Sequence, residues 1–153
     1  SFDPPTGLYE YGVSDKVITQ LQLEKMLKEG KLEKPERIVM IQCVGARTGE
    51  IWTYELPGYR SQVSWALSRI LKTKELPREE VGWAYCSKIC CMNAIKNALM
   101  IKEQHPDTEI YILYGDLRTY KEYEEFYNEA REREIEFIRY ILELPPRINK
   151  TSE

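Results

Sequence analysis

Three short apolar runs constrain this chain more than any other feature: RIVMIQCVG at 37–45, EIYILY at 109–114 and IEFIRYIL at 135–142. Each has the length and β-branched content of a strand. The first is so nearly continuous in apolar residues that it suits a strand covered on both faces. Helical patterns separate them. Ala94, Ile95, Ala98, Leu99 and Ile101 make an apolar face that ends before Pro106, and YKEYEEFYNEARERE (120–134) reads as a charged, Tyr-studded helix. Strand, helix, strand, helix, strand implies a mainly parallel sheet joined by right-handed crossovers. The expected fold class is therefore α/β, a Rossmann-like three-layer domain.

Other signals fill in this frame. Thr19 is a good N-cap, with Gln22 three residues on and Leu21, Leu23, Met26 and Leu27 at helical spacing, and Gly30 is a plausible stop. Pro4, Pro5 and Gly7 mark an irregular lead-in. Residues 48–84 differ in character: they hold Trp52, Trp65 and Trp83, with a helical pattern over about 60–73 that closes before Pro77. We expect a Trp-rich insertion there, within one domain covering residues 1–153 of a larger parent. Because it leaves near Cys43 and returns at Cys86, the insertion is expected to pack as a lid beside the cysteines. The core of a small subdomain and a docking surface are its other readings.

Of the 153 residues, 42% are hydrophobic, enough for a real core, and 31% are charged. The net charge of −3 argues against the concentrated basic face of a nucleic-acid binder. No apolar run approaches the roughly 20 residues of a membrane span, and the start SFDPPTGLYEYG does not read as a signal peptide. Four cysteines are few for a disulfide framework in a chain this large. A reducing, cytoplasmic setting is expected, where clustered thiols point to metal or redox chemistry.

The thiols are unevenly placed. Cys43 ends the first strand, and Cys86, Cys90 and Cys91 open the helix that follows the insertion. In an open α/β sheet ligands gather at the carboxyl ends of the strands, so the fold should return Cys43 to the other three. In dinucleotide-binding domains the first strand–helix turn carries G-x-G-x-x-G. Here it begins CVGAR, with Gly45 alone, so no nicotinamide cofactor is expected. The N–H groups and dipole of a helix start favour thiolates. Cys86 and Cys90, four apart, would share a helix face, with Cys91 turned about 100° further round. Four cysteines at one locus is the number that a 4Fe–4S cluster needs. Structural zinc, a dithiol redox pair and plain buried thiols remain open on these grounds. A vicinal Cys90–Cys91 disulfide would be strained.

Other polar residues carry less. His105, the lone histidine, suits a charge-favourable helix end. Glu122, Glu124 and Glu125, with Lys121 and Arg131, read as a solvated face rather than catalytic carboxylates, and no catalytic residue is assigned. Arg47 and Lys88 flank the cysteines and are candidates to balance a cluster's charge.

VMIQCVGAR, YCSKICCMNAIKNALMIKEQHPDTEIYILYGDLRTY and YEEFYNEARE, with the lead-in FDPPTGLYEYGVSDKVITQLQLEKML, resemble the central part of the heterodisulfide reductase A family. Its members are flavin and iron–sulfur proteins of methanogens and some sulfur-metabolising microbes, and the resemblance covers most of the chain outside 48–84. It implies a thioredoxin-reductase-like region that carries FAD in the parent. It also implies a 4Fe–4S cluster held by a lone cysteine and a C-x-x-x-C-C group, here Cys43, Cys86, Cys90 and Cys91. By this likeness the chain belongs to an oxidoreductase and relays electrons to other subunits of a heterodisulfide-reductase-like complex, without bond chemistry of its own. Two departures stand out: a long link between Cys43 and Cys86, and no FAD glycine fingerprint. The isolated segment is therefore not expected to hold FAD. The alternative function is a structural zinc-binding or metal-free interaction module.

Overall fold

The computed structural model describes residues 6–44, 86–142 and 144–148. The chain divides into two compact units, Ser1–Cys43 with Ser87–Glu153, and Val44–Cys86. The expected Trp-rich insertion, its helix over 60–73 and Arg47 lie outside the described residues.

The larger unit is α/β. Its elements in chain order are helix α1 (Gln20–Lys28), strand β1 (Arg37–Ile41), helix α2 (Cys90–Gln104), strand β2 (Glu109–Tyr114), helix α3 (Tyr123–Glu132) and strand β3 (Ile135–Arg139). The strands pair in the order β1-β2-β3 and all run parallel, the Rossmann-like arrangement expected from the alternation of elements. The register sets Met40 beside Ile112 and Ile110 beside Ile135.

Helix α1 starts and stops as its sequence requires. The Thr19 hydroxyl accepts from the Gln22 N–H at 3.2 Å, and the Gln22 side chain accepts from the Thr19 N–H at 2.7 Å, a reciprocal cap for two otherwise orphaned donors. At the other end Gly30 adopts φ 64°, while the Gly30 and Lys31 N–H groups return to Leu27 and Met26. A left-handed glycine closes the helix in this way because it has no Cβ to clash.

One face of the sheet makes the core. Met40, Ile110, Ile112 and Ile135 pack with Leu23 and Leu27 of α1, with Ala94, Ile95, Ala98 and Ile101 of α2, and with Ala130 of α3. Each fully buried isoleucine contributes about 1.5–3 kcal/mol. Asn97, buried inside α2, donates through Nδ2 to the Gln20 carbonyl at 3.2 Å and to Gln20 Oε1 at 2.8 Å, tying α1 to α2. The opposite face is open: Val39 is 53% and Ile138 47% exposed. The both-faces-covered reading of the first run is thus corrected. Among the described residues the three helices form one layer, and the third layer is not seen there.

At the amino ends of the strands, buried Thr108 donates to the Pro35 carbonyl at 2.7 Å. His105 caps α2, with Nε2 3.3 Å from the Leu32 carbonyl, a structural place far in sequence from the cysteines. Glu122, Glu124 and Glu125 are exposed.

Candidate metal centre

The carboxyl ends of the strands hold the cysteines. β1 stops at Ile41, earlier than the apolar run suggests, and the Gln42 N–H makes one further bond to the Leu113 carbonyl at 2.8 Å. Cys43 then turns into the left-handed region, φ 63°. That conformation is costly for a residue with a Cβ, and such positions cluster at functional sites. The Gln42 carbonyl accepts from the Tyr140 hydroxyl, which clamps the turn from β1 into Cys43.

Helix α2 begins at Cys90, with Ile89 as N-cap and no side-chain cap bond. Its first N–H groups are therefore available to sulfur. The Cys90 thiol is pulled down to about 6. The leading cause is a hydrogen bond from the Cys91 thiol, and the N–H groups of Cys43, Cys91 and Cys90 itself add to it against the opposing effect of burial. Cys91, 1% exposed, is pushed up by the same bond and by burial. The hydrogen bond between the two sulfurs thus favours deprotonation of Cys90 over Cys91. The Cys43 backbone N–H donates to Cys90, and Cys43 lies near enough to Cys91 to act on it electrostatically. Strand end and helix start therefore do meet, as the sheet topology requires.

The segment after β2 completes the wall. Cys91 Sγ stands 3.7 Å from the Asp116 carbonyl, the Arg118 N–H faces Cys91, and Arg118 Nε pairs with Asp116 Oδ2 at 3.2 Å. The sequence pattern alone did not single out Gln42, Asp116, Arg118 or Tyr140. The one usable signal was the position of GDLR directly after a strand's carboxyl end, where such sheets bind ligands.

Cys86 is different. It is half-buried, is the last residue of the Val44–Cys86 unit and stands outside α2. Lys88, exposed and with φ 62°, interrupts helical geometry between Cys86 and Cys90. The helix face expected for Cys86 and Cys90 is consequently not formed. None of the four cysteines is in a disulfide. Among the described residues no group of three or more His, Cys, Asp or Glu side chains is gathered around a point that would suit a single metal ion.

No family model matches the chain. Curated relatives do. The A-type iron-sulfur subunit of CoB–CoM heterodisulfide reductase from Methanocaldococcus jannaschii is 38% identical over 86% of this chain, and a counterpart of the same type from Methanopyrus kandleri is 39% identical over 86%. Over most of its length the chain is a homologue of part of the heterodisulfide reductase A subunits. A third relative, the A-type subunit of the H2:CoB-CoM heterodisulfide,ferredoxin reductase from Methanothermobacter thermautotrophicus, is 35% identical over 91% of the chain. The chain spans 17–19% of the length of these three relatives. Among the described residues no helix is long and apolar enough to cross a membrane.

Proposed function

We propose that the chain is an electron-relay domain in which Cys43, Cys86, Cys90 and Cys91 hold a 4Fe–4S cluster. The observation that carries this is the meeting, at the carboxyl end of the sheet, of Cys90 with its neighbour Cys91 and with the N–H groups of Cys43 and of the start of α2. Iron–sulfur clusters are bound by thiolates, and N–H donors near sulfur stabilise their negative charge. When bound, the cluster would supply one-electron transfer. The chain's own residues have defined tasks. Cys90, Cys91 and Cys43 would hold the cluster through deprotonated sulfurs, with Cys86 as the fourth ligand. The β1 turn clamped by Tyr140 fixes Cys43.

The electrons would pass between FAD elsewhere in the parent protein and partner iron–sulfur subunits of a cytoplasmic heterodisulfide-reductase-like complex. Residues 48–84 would be an insertion into one Rossmann-like domain, a reading supported by the division of the chain at Val44 and Cys86. The test is anaerobic reconstitution. About four irons and four sulfides per chain, with a reducible signal in electron paramagnetic resonance, are expected, and serine at any of the four cysteines should lower iron content. A colourless protein with stoichiometric zinc, or a metal-free one that still docks its partners, would instead establish the structural or interaction-module reading.

A further inference from the structure

Gln42 is 3% exposed, and among the described residues its Nε2 is buried without a hydrogen-bond partner. Buried amide donors in native proteins are almost always paired, and leaving one unsatisfied costs about 1–3 kcal/mol. The Gln42 backbone is fully engaged: the N–H donates to the Leu113 carbonyl, and the carbonyl accepts from Tyr140. The side chain cannot relax by moving the backbone, because both of these bonds hold it. It also sits in a telling place. Met40 and Gln42 are buried while Ile41 and Cys43 are half-buried, so residue 42 continues the alternation that turns Met40 toward the helix layer. That is the layer whose helix α2 opens with Cys90. The next residue along the chain is Cys43, whose N–H already serves Cys90.

We infer that Gln42 is a positioning and tuning residue whose carboxamide donates from Nε2 to sulfur of the iron–sulfur group held at Cys43, Cys90 and Cys91. The inference rests on the cluster reading above. A sulfide or thiolate sulfur is an acceptor with no donor capacity, so it selects the carboxamide orientation that presents the NH2 group. Among the described residues the polypeptide supplies no acceptor because the acceptor belongs to the cofactor. A hydrogen bond to sulfur stabilises the reduced, more negative state, and so raises the potential.

The experiment uses the full chain, reconstituted anaerobically, with Gln42→Met as a volume-conserving replacement and Gln42→Leu as a second variant. Both are expected to fold without iron as well as the original chain or better, because the amide then has no partner to lose. With the cluster loaded, both should show a midpoint potential shifted to more negative values, or a reduced iron content. An unchanged potential at full iron content, as a water partner for Nε2 would give, overturns the inference alone. Failure of both variants to fold without iron also overturns it, since the amide would then belong to the protein's own scaffold. Absence of iron from the original chain removes the cluster reading and this inference together.

Discussion

Gly115→Ala tests the packing that supports the cysteine site. Gly115 is buried at the first position after β2, and its carbonyl accepts from Arg139 Nε at 3.3 Å. A Cβ built there would fall 2.8 Å from Leu142 Cγ and closer still to Leu142 Cδ2. The clash reaches Cγ, the branch point, so turning the terminal methyl groups cannot clear it. Leu142 must swing away as a whole, or the backbone around Gly115 must shift. Such overpacking costs about 1–3 kcal/mol, which in a chain of this size lowers Tm by roughly 2–12 °C. The readout is thermal and urea unfolding of the iron-free protein followed by circular dichroism. Leu142→Ala removes the obstacle, so the double variant should be less destabilised than the sum of the singles, by about 1–2 kcal/mol. A backbone shift would also carry the neighbouring Asp116 carbonyl away from Cys91. A Gly115→Ala protein that melts like the original, or a strictly additive double variant, would refute the reasoning.

In iron-free protein, alkylation of Cys90 by iodoacetamide should hold its rate down to about pH 6 and then fall roughly tenfold per pH unit, with Cys91 reacting last; peptide mass spectrometry reads both. A midpoint at the ordinary thiol value of about 8.5 would contradict the favoured deprotonation of Cys90. The lowered Cys90 value also has a stability sign. The unfolded chain keeps that proton up to the ordinary thiol range, so Cys90 adds stability as pH rises from about 6 toward that range and loses it as pH falls through about 6. Asn97→Ala should cost about 1–3 kcal/mol, because it strips the Gln20 carbonyl and side chain of their buried donor between α1 and α2; an unchanged urea midpoint would show that this link contributes nothing.

Local sequence was enough for the elements and their order. The apolar runs at 37–45, 109–114 and 135–142 became parallel strands, and Thr19, Gln22 and Gly30 capped α1, because periodicity and capping are short-range effects carried by adjacent residues. The parallel order led to the expectation that Cys43 returns to the other three cysteines; of these, the structure sets the Cys43 N–H on Cys90. Where each element ends depended on more than pattern. β1 yields at Ile41 because the chain turns left-handed at Cys43, and α2 begins only at Cys90 because Lys88 is left-handed too, which removes the expected Cys86–Cys90 helix face. The open face at Val39 and Ile138 was equally hidden, since an apolar run does not say whether anything lies above it. Which of two adjacent thiols carries the charge is a matter of folding alone. Cys90 and Cys91 are the same residue one step apart, and only through-space neighbours separate them: N–H groups of Cys43 and the helix start on one side, the Asp116 carbonyl and deep burial on the other. The Gln42 amide, unpaired among the described residues, has the same origin. A side chain's partners are fixed by segments far away in the chain, and no local pattern records them.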